Sequence, residues 1–227
     1  MTSSILAANS SVLFVAIDLR LFERLELFHE KTQGAHSVCG AVERHRLFWR
    51  YIKTQTDLET NPPKTALHVA PKEGLEKKLR PLIGKGYITA DLFDPRADIK
   101  MDITDIQFPD NSYDFIYCSH VLEHVPDDRK AMREFYRVLT DDGFAVLIVP
   151  IYPEPTFEDP SIEDPKERLR LFGQDDHVRK YGPDFADRLK EVGFKVQAIA
   201  KTDLLSPEEI KTSGLSYWDG RIFICKK

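Results

Sequence analysis

"YDFIYCSHVLEHVPDDRKAMREFYRVLTDDGFAVLIV", residues 113–149, decides how the chain folds. "YDFIYC" (113–118) is a short apolar strand. "DDRKAMREFYRVL" (127–139) opens on aspartates and puts Ala131, Phe135, Val138 and Leu139 on one side, the stripe of an amphipathic helix. Gly143 follows where a C-terminal glycine cap is expected. "FAVLIV" (144–149) is apolar at every position, so it reads as a central parallel strand covered on both faces.

The same alternation runs outward in both directions. Upstream lie strands "TALHVA" (65–70), "YITAD" (87–91) and a weaker "IKMDI" (99–103), with a helix "GLEKKLRPLI" (74–83) that Pro81 is expected to interrupt. Downstream come a helix over 183–192 and the strands "FKVQAIA" (194–200) and "RIFICK" (221–226). The expected fold class is α/β: a Rossmann-like, doubly wound, mostly parallel sheet with a final antiparallel strand and a helical N-terminal extension. Residues 1–60 form that extension, and residues 61–227 form the main domain with a lid over 151–182. Within the extension, "LRLFERLELF" (19–28) aligns Leu21, Leu25 and Phe28, and "AVERHRLFWRYI" (41–52) aligns Leu47, Phe48, Tyr51 and Ile52. "ETNPPK" (59–64) is the linker.

Composition narrows the function classes. With 227 residues, 42% hydrophobic and 30% charged, the chain can bury a core. A net charge of −5 argues against an extended phosphate-binding surface, so no nucleic-acid partner is expected. "SVLFVAI" (11–17) is too short to span a bilayer and has no basic stretch before it, so neither a membrane partner nor a secretory signal is expected. Three scattered cysteines, Cys39, Cys118 and Cys225, suggest no disulfide framework; the expected location is cytoplasmic. Oligomeric state is not legible.

Ligands of open parallel sheets bind beyond the carboxyl ends of the strands. The second strand ends in Asp91, twenty residues after Pro71, a spacing suited to a carboxylate that accepts from two ribose hydroxyls. The third leads to Asp102, placed to receive an exocyclic amine, and Ile103, placed to pack a flat ring. The fourth ends in Cys118-Ser119-His120. Spacing alone leaves nicotinamide, flavin and S-adenosylmethionine (SAM) cofactors open.

Residues 101–150 resemble the core of class I SAM-dependent methyltransferases: Asp102, then "IQFPDNSYDFIYC", "HVLEHV", "REFYRVL" and "TDDG" in the family's order. The resemblance covers roughly residues 65–200. "LHVAPKEGL" and "FGQDDHVRKYG" (172–182) are similar to a narrower subgroup with an "LH-AP" first loop and an "FGQ-DHVR-YG" lid. It implies a methyltransferase acting from SAM, with S-adenosylhomocysteine (SAH) as product, on a small polar acceptor of unassigned identity. His68, Ala70 and Gly74 would line the methionine portion, Asp91 would hold the ribose hydroxyls, and Asp102 with Ile103 the adenine; Pro71, which shapes the turn, Leu92 and Ser119 would complete the cofactor-binding set. His120 and His177 are the catalytic candidates, His177 as general base. Gln174, Asp176, Arg179 and Tyr181 are candidates for binding substrate, Arg179 as an anion anchor. The resemblance also implies a degenerate zinc-ribbon-like cap; with Cys39 as its one cysteine, no metal is expected there. Two alternatives stand beside this reading: a catalytically silent SAM- or SAH-binding partner subunit, and a nicotinamide-dependent oxidoreductase.

Overall fold

The computed structural model describes residues 42–213, 215 and 220–227. The expected helix at 19–28 and Cys39 lie outside the described residues. A seven-stranded sheet forms the centre: β1 (Ala66–Val69), β2 (Tyr87–Asp91), β3 (Ile99–Lys100), β4 (Tyr113–Ser119), β5 (Leu139–Ile148), β8 (Lys195–Ala200) and β9 (Arg221–Lys226). Their order is β3-β2-β1-β4-β5-β9-β8. Pairings from β3 through β5 are parallel, and β9 runs antiparallel to both β5 and β8. A short hairpin, β6 (Phe157–Glu158) with β7 (Arg179–Lys180), lies within 151–182.

Helices cover both faces because the strand residues alternate between two apolar layers. Leu67, Val69, Ile116 and Cys118 face a core shared with α3 (Asp128–Val138) and α5 (Phe185–Val192). Ala66, Phe115, Tyr117 and Val146 face the other, closed by α1 (Glu43–Gln55) and α2 (Glu73–Ile83). α1 is part of this layer: Leu47, Phe48 and Ile52 are fully buried, and the Phe48 ring lies 4.9 Å from Tyr117. Segment 151–182 adds α4 (Pro165–Phe172), and two short helices, α6 (Lys201–Leu204) and α7 (Pro207–Thr212), link β8 toward β9.

Three expectations are corrected. Pro81 does not interrupt α2, which runs to Ile83; the proline falls in the final turn, where its missing N–H costs one hydrogen bond near the end. The third strand holds only Ile99–Lys100, since Asp102 turns back onto its own loop. Gly143 is no helix cap. α3 closes at Leu139 in extended conformation, and Gly143 lies inside β5. A Cβ there would stand 2.8 Å from the Asp114 carbonyl oxygen and 2.7 Å from Thr140 Oγ1, so close approach of the two strands demands the glycine.

No helix among the described residues is long and apolar enough to cross a membrane.

Candidate functional site

The sheet order reverses at β1, which pairs with β2 on one side and β4 on the other, and a crevice opens at the carboxyl ends of these strands. It holds a pocket of about 860 Å³, within the usual range for a small-molecule site. The pocket takes Val69 and Ala70 from the tip of β1, Asp91, Leu92 and Phe93 from β2, and Met101 to Thr104 after β3. His120, His124 and Lys130 come from the β4–α3 region, and Asp176 from the loop after α4.

Two strained residues shape the crevice. Ala70 (φ 49°) and His120 (φ 57°) end the adjacent strands β1 and β4 in left-handed conformation and both line the pocket. For a residue with a Cβ this costs about 1–2 kcal/mol. Ala70 is held by donating its amide to the Ala90 carbonyl at 2.8 Å, and His120 by donating to Ile148 at 2.8 Å. Strain of this kind clusters where a backbone must approach a ligand.

Asp91 and Asp102 share a local design. Oδ1 of Asp91 accepts from the amides of Phe93 (2.7 Å) and Asp94 (2.8 Å). Oδ1 of Asp102 accepts from the Thr104 amide (2.8 Å) and hydroxyl (2.9 Å). Each turn uses one oxygen and leaves the other, Oδ2, for hydroxyl or amine donors. Leu92 and Ile103 supply apolar wall beside them, and Phe93 is 87% exposed at the rim.

The remaining expected residues divide. His68 is buried on the opposite face of β1, hydrogen-bonded to the Tyr87 hydroxyl and edge-on to Tyr117. Strand alternation sends Val69 to one side and His68 to the other, so it does not line the pocket. Burial, with His45 and Arg80 nearby, pushes its imidazole down to about 3. Pro71, Gly74 and Ser119 also stand off the wall, as does Gln174.

Arg179 and Tyr181 are not on the wall either, and their polar groups bond within the protein. The Arg179 guanidinium donates to Glu158 (2.8 Å) and to the carbonyls of Leu122 (2.8 Å), Val125 (2.5 Å) and Pro126 (2.8 Å). The Tyr181 hydroxyl donates to Asp128 at 2.7 Å. Arg188 joins both acids, at 3.2 Å to Asp128 and 2.8 Å to Glu158. Desolvation alone would raise the Glu158 carboxyl, but hydrogen bonds from Arg188 and Arg179 pull it down to about 2. This network clamps the β6–β7 hairpin onto the 122–126 turn.

His177 is 3% exposed and also stands off the wall. Its Nδ1 lies 3.3 Å from the Phe172 carbonyl, and its ring meets His124 edge-on with 4.6 Å between centroids. Burial first, and then the neighbouring His124, lower its pKa. The residue of 151–182 on the wall is Asp176, whose Oδ2 is 3.1 Å from His124 Nδ1. His124 was not among the expected site residues, yet it lines the wall. The signal was present: two histidines four apart, His120 and His124, directly after a central strand.

Residues 39–147 match the family model described as "Methyltransferase domain". An uncharacterised methyltransferase of Bacillus subtilis, YcgJ, is 37% identical over 75 residues, which cover 33% of this chain and 28% of that protein. A chloroplastic 2-methyl-6-phytyl-1,4-hydroquinone methyltransferase of rice is 32% identical over 106 residues, covering 42% of this chain and 32% of that protein. The chain thus aligns with about a third of the length of these curated relatives. Among solved structures, the 1,6-didemethyltoxoflavin N1-methyltransferase of Burkholderia thailandensis, bound to 1,6-didemethyltoxoflavin and SAH, superposes with a TM-score of 0.55 at 10% identity. That match covers 100% of this chain and 93% of the other, and it is a likeness of fold.

Proposed function

We propose that the chain is a SAM-dependent methyltransferase acting on a small polar acceptor. One observation carries the reading: Asp91 and Asp102, each with one uncommitted carboxylate oxygen, line a single pocket together with the strained tips Ala70 and His120. The methyltransferase-domain match over 39–147 supports it.

These residues fit an adenosine. Oδ2 of Asp91 accepts from the ribose hydroxyls, each bond assisted by the carboxylate charge. Oδ2 of Asp102 accepts from the adenine amine, Leu92 and Ile103 pack the ring, and exposed Phe93 folds against it. Ala70 brings the end of β1 close to the methionine portion. SAM itself supplies the activated methyl group.

What remains for the chain is to hold the acceptor in line with that methyl and to keep water out. His120, His124 and Asp176, which line the same pocket, are assigned to the acceptor. His120 stays the catalytic candidate and Asp176 a substrate contact in this reading. Arg179, Tyr181 and His177 act behind the wall, fixing the lid segment.

Incubation with methyl-labelled SAM and a small-molecule extract tests this. Label passing to a small molecule, with one SAH formed per methyl transferred, supports the reading. Label passing to protein or nucleic acid, or no transfer by protein that binds SAM, contradicts it.

A further inference from the structure

We propose that Glu123, His124 and His177 form a binding site for one divalent transition ion of the zinc class, at the edge of the pocket. The two histidine rings and the carboxylate each offer a ligand atom, all within 4.8 Å of one another. Two imidazoles and a carboxylate are the donor set of open catalytic zinc sites, which keep a position for a further ligand.

The polar atoms themselves point to an ion. Glu123 is 1% exposed, yet neither carboxylate oxygen has a hydrogen-bond partner among the described residues. His120 Nδ1 is 3.3 Å from Oε1 without the alignment of a hydrogen bond. His177 Nε2 is likewise buried and unpartnered. A buried carboxylate facing an unpaired ring nitrogen is costly unless something positive joins them.

An outer contact selects the ring atom of His177. Nδ1 of His177 faces the Phe172 carbonyl at 3.3 Å, and Nδ1 of His124 faces Asp176 at 3.1 Å. A carbonyl can only accept, so His177 carries its proton on Nδ1 and its unpartnered Nε2 offers the lone pair, as in metal-bound histidines held by a carbonyl; the His124 contact lacks the alignment of a hydrogen bond and leaves that ring its choice of nitrogen. Val178 donates its amide to the Glu123 carbonyl at 2.9 Å, tying the two ligand-bearing segments together. Bonds of about 2.0–2.2 Å to an ion require the set to draw in slightly. His124, half-buried on the pocket wall, is the ring free to turn. Because His124 belongs to both cluster and wall, the ion's open position borders the space given to the acceptor. Under the methyltransferase reading, on which this consequence alone rests, the acceptor is then a molecule with a metal-ligating oxygen, nitrogen or sulfur.

The test uses protein freed of metal by a chelator and titrated with Co²⁺, followed by its visible ligand-field absorption, with Zn²⁺ as competitor. Wild type is expected to bind one equivalent, displaced by Zn²⁺. Glu123→Gln, His124→Gln and His177→Gln each lose more than the roughly 10–100-fold in affinity that removal of an outer partner costs. Melting curves without metal identify which variants are folded, and the part-exposed His124 provides the variant least able to disturb the core. No stoichiometric Co²⁺ site in wild type, or affinity unchanged in folded His124→Gln, overturns the proposal. SAH titration of the same samples separates the two readings: a metal site in protein that binds no SAH leaves the ion and removes the methyltransferase.

Discussion

The amide of Met101 donates to the Asp91 carbonyl at 3.0 Å, and this bond carries Asp102 onto the pocket wall beside Asp91. Two residues eleven apart in sequence are thereby joined at the tips of neighbouring strands, Asp91↔Lys100 being the last pair of the β2–β3 register. The carboxylates do not compete for one donor, since each is anchored through its own Oδ1.

Arg179 is expected to matter for stability. Arg179→Met removes the donor to three backbone carbonyls and leaves Glu158 and Asp128 with less compensating charge. Breaking a buried pair from one side costs about 3–5 kcal/mol. Denaturant unfolding should show a loss of that order; a loss below about 1 kcal/mol would mean the clamp is not holding the lid hairpin.

Gly143→Ala is expected to destabilise the fold by about 1–3 kcal/mol through overpacking. The added methyl must push β5 from the Asp114 carbonyl, 2.8 Å away. A melting temperature equal to wild type would show that the β4–β5 contact is looser than described.

Stability should fall with acid in two stages. His45 and His68 have folded values lowered to about 3 by burial, against 6.5 unfolded. Above 6.5 both states are neutral and nothing is contributed. As pH falls from 6.5 toward 3 the unfolded chain takes up the protons, at about 1.4 kcal/mol per pH unit for each histidine. Glu158, depressed to about 2, contributes stability above about 4.5 that is lost as pH falls through 2. Unfolding measured between pH 7.5 and 5 should show the histidine slope, reduced in His68→Gln. A flat profile over that range would place these imidazoles in contact with water.

Much of this was legible in the sequence. Helical period and the N-terminal aspartate cap revealed α3, an unbroken apolar run revealed β5, and strand tips pointed to Asp91, Asp102, Ile103 and His120, all of which line the pocket. His68 was misplaced because position along a strand does not tell which face a side chain takes until the covering helix is known, and α1 covers that face. Arg179 and Tyr181 look like substrate contacts in a polar loop, yet their partners Glu158 and Asp128 lie 21 and 53 residues away. Glu123 and His177 are 54 residues apart, and only the folded lid segment brings them together.

Calorimetric titration of SAH into wild type, Asp91→Asn and Asp102→Asn tests the central claim most directly. Asparagine keeps the Oδ1 acceptor that holds each turn and removes the charge offered at the second oxygen. Wild type is expected to bind one SAH, and each variant about 10–100-fold more weakly, as loss of a charge-assisted hydrogen bond worth about 1.5–3 kcal/mol requires. Folded wild type that binds no SAH, or both variants binding as wild type does, would contradict the account.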